Sequence, residues 1–497
     1  MLLCLTQVAR AEEPPARATF ALIVGVNQSV DPELPALNYA DDDAAQYLDL
    51  FRALGARTYL LSRLDDNTKR LHPQAAAEAQ LPRRQAFEAE LARLAADVAQ
   101  AHARHLATSL YFVYAGHGNV RDGEGYLSLE DERLTAADLE RLLLQRVAAD
   151  QVHFIIDACY SSYLAFGRGP GGQRRPARGF SALAGLGRYK QLGLLLSTSS
   201  ARESHEWEGF QSGVFSHEVR SGLYGAADAD HDGQVSYREI AAFVERANAA
   251  IPNERFRPDI YARPPATTTQ LLDLRPGLGR RIEIDGSKHG HYLLEDSGGV
   301  RIAELNSGQA VSLIRPVGTG VLYLRRSDDQ EEFVIPPSDA PVELASLEPT
   351  TPRARARGAA HDAFSVIFAL PFDAEVESHY VFHALPDPYV ETLADRRLRL
   401  RHRLGWGAIG LGGASLISGI ALTLSANSLR DANASQQDIA ANNHQIEIRN
   451  IAAGVLYGVA GATALTGVLL LVLQHRHVPV SAFVGPNGGT LGYAGSF

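Results

Sequence analysis

Cysteine is nearly absent from this chain of 497 residues: only Cys4 and Cys159 occur. A disulfide framework is therefore excluded. Positive charge is not in excess either. The formal net charge of −10 denies the chain the basic face that a general nucleic-acid binder needs, so no nucleic-acid partner is expected. The N-terminal stretch MLLCLTQVARAEEPPARA has an apolar run without a basic leader segment. It carries Ala9-Arg10-Ala11, a small-x-small pattern like that before signal-peptidase cleavage, and acidic, Pro-rich residues follow. Residues 1–16 are read as a signal peptide; the alternative is a frayed tail before the first strand. If cleavage occurs, Cys159 is the one cysteine left.

What is present is the composition of a folded protein, with 45% hydrophobic and 21% charged residues, long enough for two or three domains. The first half alternates strand-like and helix-like segments, which predicts an α/β domain over 17–272 with a largely parallel sheet flanked by helices. Its expected strands are ALIVGV (21–26), RTYLLS (57–62), SLYFVYAG (109–116), QVHFIIDA (151–158) and GLLLSTSS (193–200). Continuous apolar runs of this kind suit strands covered on both faces. Tyr39, Ala44, Tyr47, Leu48 and Phe51 have helical spacing, as do Phe87, Leu91, Leu94 and Val98. Short alternating segments separated by Gly, Asp and Ser predict a small antiparallel β domain over 275–348. A linker with a helix follows over 349–403.

Leu404–Ala426 and Ile451–Leu473 are uncharged and reach the roughly 20 residues a helix needs to cross a bilayer. They predict a membrane hairpin over 404–473, with 474–497 as a tail; two buried soluble helices are the alternative. Gly410, Ala414 and Ser418, and Gly454, Gly458 and Ala462, form ladders at four-residue spacing that suit close helix packing. Arg396, Arg397, Arg399, Arg401 and Arg403 before the first span favour a cytoplasmic location for that side. A cleaved signal peptide would place it outside. The reading favours export to the cell envelope, because the processing signals lie where a mature N-terminus needs them.

The chemistry gathers at two strand ends. Working groups in open α/β sheets sit beyond the carboxyl ends of strands. His117 follows the strand ending at Ala115, held between Gly116 and Gly118, and Cys159 follows IIDA. If those strands are neighbours, both side chains emerge at one sheet edge. A free thiol has pKa about 8.5, and a nearby imidazole can take its proton and later protonate a leaving amine. The backbone N–H groups of Gly118 and Cys159 are candidates for an oxyanion hole. A packed Cys and a merely satisfied His are the bland alternative; their joint placement favours a dyad.

DADHDGQVSYRE (228–239) matches the calcium loop of an EF-hand. Asp228, Asp230 and Asp232 stand at positions 1, 3 and 5, Gly233 at the turn, Gln234 at the seventh position and Glu239 at the twelfth. Ca2+ is the implied ion, not required for the chemistry. No second loop is visible, and the alternative is a polar turn that stays empty.

YAGHG followed by DACYSS resembles the caspase-like (clan CD) cysteine peptidases. ALIVGVN, ALNYADDDA and the STSS strand followed by GVFSHEVRSGL extend the resemblance over roughly residues 18–255. Caspases carry Gln-Ala-Cys with a Gly two residues after the Cys, whereas this chain has Asp157-Ala158-Cys159-Tyr160-Ser161. An acid at that place is the metacaspase and bacterial orthocaspase pattern. The resemblance implies a Cys-His endopeptidase with a polypeptide substrate, whose Asp157 and Asp43 bind an Arg or Lys at P1. It also implies that the Arg-rich segment 165–190 is a self-cleavage site; the alternative is a basic, solvated loop that is never cut. The competing readings are a catalytically silent caspase-like binding module or scaffold anchored to the membrane, and a Cys-dependent ligase.

Overall fold

The computed structural model describes residues 16–121, 124–159, 189–197, 212–252, 260–351, 366–382, 393–430 and 436–472. Short stretches at 167–168, 174–175, 186, 206–207, 257–258, 480–485 and 488–493 are also described. The proposed leader and most of the 165–190 segment lie outside these residues.

The central sheet is built from β1 (Arg17–Val26), β2 (Arg57–Ser62), β3 (Ala107–Arg121), β4 (Gln151–Cys159), β5 (Leu192–Ser197) and β6 (Ile260–Arg263). Their order is β6-β5-β4-β3-β1-β2. Every pairing on this path is parallel except β5 with the edge strand β6. The five predicted strands are all here. They were legible because each is buried on both faces and is therefore apolar at successive positions.

Alternation along the strands divides the core in two. On one face Leu22, Val24, Phe112, Tyr114, Phe154 and Ile156 meet Phe87, Leu91, Leu94 and Val98 of α2 (Arg84–Ala103). On the other, Ala21, Ile23, Tyr111, Val113 and Ile155 meet α1 (Ala40–Ala53), α3 (Val214–Ser221) and α4 (Tyr237–Asn248). The 3.6-residue spacing read from the sequence gives the buried face of α2, whereas α1 is buried on nearly every side and Tyr39 stands just before it.

The alternating segments after Asp273 form two sheets. Gly290–Asp296, Arg301–Ser307, Leu322–Arg326 and Glu331–Ile335 make a four-stranded antiparallel sheet. Arg281–Ile284 lies between Val311–Ile314 and Val342–Glu343 in a second. Ile282, Tyr292, Leu294, Leu313 and Leu324 belong to the same continuous core as α3 and α4. Among the described residues, those up to Phe382 form one compact unit, and those from Leu393 onward belong to another.

In that second unit α5 (Leu393–Arg430) and α6 (Gln436–Val472) pack as an antiparallel hairpin. Both are long and apolar enough to cross a membrane. The seam differs from the ladders expected. Buried positions recur every seven residues: Gly405, Gly412, Gly419 and Ala426 on α5, and Ile446, Ala453, Ala460 and Gly467 on α6. A Cβ at Gly412 would lie 3.0 Å from the Ala460 oxygen, and one at Gly467 would lie 2.7 Å from the Gly405 oxygen. Gly410, Gly454 and Gly458 instead face open space. A seven-residue period is what keeps a seam facing its partner along two supercoiled helices. Each half of the seam spans 21 rises, about 32 Å, close to the hydrocarbon thickness of a bilayer. The large side chains point outward: Leu411, Ile417, Ile420, Leu424, Ile451, Val455 and Leu465 are exposed. In detergent, Gly412→Leu is expected to speed amide hydrogen exchange in both helices of the full chain, and Gly410→Leu is not. A larger effect of Gly410→Leu than of Gly412→Leu would mean the four-residue ladder is the true seam.

Candidate active site

At the carboxyl edge of the sheet β3 and β4 are in register through Ala115↔Asp157, Gly116↔Ala158 and His117↔Cys159. Neighbouring strands lie about 4.8 Å apart and paired parallel positions share a face. The chain thus brings the backbone positions of His117 and Cys159 together, 42 residues apart in sequence. Beyond His117, β3 leaves the sheet and pairs antiparallel with Glu124–Ser128, beginning at Gly118↔Leu127.

His117 is 6% exposed. Its Nε2 lies 2.7 Å from the Pro35 carbonyl oxygen. A carbonyl only accepts, so Nε2 carries the proton and Nδ1 keeps its lone pair. Burial pushes the imidazole pKa down, against the Pro35 hydrogen bond and the charge of Asp31, which pull it up. The neutral ring, the form a base requires, is favoured.

Gly116 has a local explanation. A Cβ there would stand 2.7 Å from the Tyr114 hydroxyl, which lies 2.8 Å from the His117 carbonyl oxygen and 2.7 Å from that of Ser128. The missing side chain lets Tyr114 brace the backbone that carries the histidine.

Asp43, in the first turn of α1, and Asp157, on β4, converge on Gly213. A Cβ at Gly213 would lie 2.8 Å from Asp157 Oδ2 and 3.1 Å from Asp43 Oδ2. Asp157 Oδ2 accepts from the Ser216 N–H at 3.0 Å and the Ser216 hydroxyl at 2.7 Å. Asp43 accepts from the Gly213 N–H at 2.9 Å, from the Ser212 hydroxyl and from Arg220 Nη2 at 3.2 Å. Burial raises the pKa of both acids, that of Asp43 to about 7 against the pull of Arg220. Glu206 adds a third acid nearby. Its carboxylate accepts from the Asn38 and Tyr39 N–H groups, and burial raises its pKa, with the charge of Asp157 adding to the shift.

Sequence reasoning missed Ser216, Arg220 and Glu206. Ser216 and Arg220 stand four apart on α3, so one helix face presents both partners to the acids. That spacing was visible in GVFSHEVR, but nothing in it named the carboxylates they would meet. Arg220 is fully buried, its Nη1 on the Gln46 side-chain oxygen.

The acidic loop lies in the same unit. Ligand oxygens of Asp228, Asp230 and Asp232 all fall within 4.8 Å of one another. Gly233 turns the chain at φ +76°, a value that favours glycine. Asp228 Oδ1 is buried without a hydrogen-bond partner, and burial together with Glu239 raises the Asp228 pKa to about 7. A buried carboxylate oxygen lacking a donor is what a bound cation would satisfy. The donor set therefore fits calcium. The Gln234 side-chain amide donates to Asp232 Oδ2 at 3.1 Å. Glu239 stands outside the three-aspartate cluster, accepting from Ala229 N–H at 2.9 Å and Ser236 N–H at 2.7 Å in a capping box that starts α4. Gln234–Ser236 pairs antiparallel with Gln270–Asp273.

No protein-family model and no curated protein matches this chain. Among solved structures it is similar to the crystal structure of Caspase-1 from Spodoptera frugiperda, at 12% identity and a TM-score of 0.33. The match covers 54% of this chain and 97% of that one. A structure titled pro-sf-caspase-1 is similar at 12% identity and a TM-score of 0.31, over the same shares of the two chains.

Proposed function

We propose that this chain is a membrane-anchored, metacaspase-like cysteine endopeptidase that cuts polypeptides after Arg or Lys. The observation that carries the proposal is the register pair His117↔Cys159 at the carboxyl ends of adjacent parallel strands, with Nε2 of the histidine committed to Pro35. Nδ1 of His117 takes the Sγ proton of Cys159. The thiolate then attacks the scissile carbonyl carbon, and the new oxyanion is held by the N–H groups of Gly118 and Cys159. The imidazolium gives its proton to the leaving amine as the C–N bond breaks, leaving a thioester. Water, deprotonated by the same imidazole, hydrolyses the thioester and restores the thiol. Asp157 and Asp43 receive the P1 cation, and the α5–α6 hairpin holds the enzyme at the bilayer.

The test is a peptide library presented to the full chain in detergent, with Cys159→Ala as control. The full chain is preferred to a fragment ending at 272, because the core continues into the later sheets. Cleavage after basic residues by the wild type alone supports the proposal; no cleavage beyond the control overturns it.

Calcium is proposed to bind Asp228, Asp230 and Asp232, with Gln234 at the seventh position and Glu239 exchanging its capping contacts for the ion. Binding to the folded state alone stabilises by RT ln(1 + [L]/Kd), about 2.7 kcal/mol at a hundred times Kd. Calcium is expected to raise Tm in the wild type and not in Asp228→Asn, and the gain in Glu239→Gln is expected to be lost as well. An unchanged melting curve across millimolar calcium would reduce the loop to a turn.

A further inference from the structure

The imidazole of His117 is held by a loop, and a buried carboxylate ties the middle of that loop to the ribbon beyond β3. Residues 27–39 run from β1 to α1 past the carboxyl edge of the sheet. Asn27 anchors one end, its side-chain oxygen accepting from Ala40 N–H at 2.9 Å. In the middle, Asp31 is 1% exposed. Its carboxylate accepts from the Tyr126 hydroxyl, from Arg133 Nη2 and from Arg133 Nε at 3.3 Å. The Arg133 guanidinium also lies over the Tyr126 ring, 5.3 Å from its centre.

Both partners belong to the antiparallel ribbon that continues β3 past His117. Tyr126 pairs with Asn119 and Arg133 pairs with Ser128. Further contacts bind loop to ribbon alongside the carboxylate: Val30 N–H to the Leu129 oxygen at 2.9 Å, and Ser29 Oγ to Ser128 Oγ at 2.9 Å. The Leu34 N–H then closes a turn on the Asp31 oxygen at 3.1 Å. The next residue is Pro35, whose carbonyl oxygen holds His117 Nε2. The path from carboxylate to imidazole is one turn of chain long.

We propose that Asp31 is a positioning residue for His117: clamped by Tyr126 and Arg133, it aims the Pro35 carbonyl and so fixes the ring's tautomer and angle. In this arrangement a neutral carbonyl orients the ring, and Asp31, ion-paired with Arg133, acts through that carbonyl. Asp31 also lies within electrostatic reach of the ring and favours its protonated form. The charge facing the Asp31 carboxylate is that of Arg133, and the Tyr126 hydroxyl, its pKa pushed up to about 12, stays a neutral donor. The inference rests on the peptidase reading only for its kinetic consequence; the state of the ring is readable without turnover.

The test uses the full chain with ¹⁵N-labelled histidine, His117 being assigned among the 17 histidines by a His117→Gln spectrum. The wild type should show His117 as the Nε2–H tautomer. In Asp31→Asn the ring should populate both tautomers. Its kcat should fall about 10-fold or more with KM nearly unchanged, since small misplacements of a reacting group cost up to about 10²-fold. Tyr126→Phe, which keeps the ion pair, should fold and lie between the two. Wild-type tautomer and kcat in both variants would overturn the inference. A clamp-dependent tautomer in a chain that cleaves nothing would keep this inference and remove the peptidase.

Discussion

Cys159→Ser and His117→Ala are each expected to abolish cleavage of basic peptides while leaving the fold intact. Only the imidazole lone pair at Nδ1 is available for the thiol proton, because Nε2 is spent on Pro35. Without the base, a thiol of pKa about 8.5 is a few per cent thiolate at neutral pH, and the leaving amine receives no proton. Loss of a positioned general acid–base costs on the order of 10²–10⁴-fold. Serine at 159 has a far less acidic proton than cysteine, so the same imidazole does not ionise it usefully. The structural cost of His117→Ala is small. It removes one hydrogen bond, worth roughly 1 kcal/mol, at a sheet edge outside the main hydrophobic cores. Far-ultraviolet dichroism and Tm should therefore stay close to wild type in both variants. Normal turnover by the serine variant would end the nucleophile assignment.

The strands and their order of chemistry were legible because burial on both faces writes itself into consecutive residues, as in SLYFVYAG and QVHFIIDA. That His117 and Cys159 would meet was legible because each follows the carboxyl end of an apolar strand and those strands are neighbours. The partners of the acids were not. Ser212, Ser216 and Arg220 meet Asp43 and Asp157 across separations of 59 to 177 residues, and helical spacing says only that they share a face. The hairpin seam was misread for a related reason. Helix α5 carries glycines at 405, 407, 410, 412, 413 and 419, so both four- and seven-residue ladders can be drawn on it. Which ladder is used depends on the facing helix, and α6 offers its small residues seven apart.

Removing the acid pair should change what is cut rather than whether cutting chemistry works. A guanidinium or ammonium at P1 gains charge-assisted hydrogen bonds from a carboxylate in a partly dry pocket. Hydrogen bonds to charged groups are worth roughly 1.5–3 kcal/mol each, so Asp157→Ala should lower kcat/KM for basic P1 residues by about 10- to 100-fold. Asp43→Asn should act in the same direction. It also strands the buried Arg220, whose charge would then repel the substrate. The same geometry sets a pH dependence. Burial raises the pKa of Asp43 to about 7, so acidification below that value protonates it and KM for a basic peptide should rise. The sign for stability is the reverse. An acid whose folded pKa is raised stabilises most fully below its unfolded value, near 4, and that contribution is lost as pH climbs through about 7. A bound cation at P1 compensates this loss, because it favours the ionised pair. A peptide ending in arginine should therefore raise the Tm of Cys159→Ala more at pH 8 than at pH 5, and the difference should shrink in Asp157→Ala. A wild type that prefers aspartate at P1, or a Tm gain that is larger at pH 5, would overturn the basic pocket.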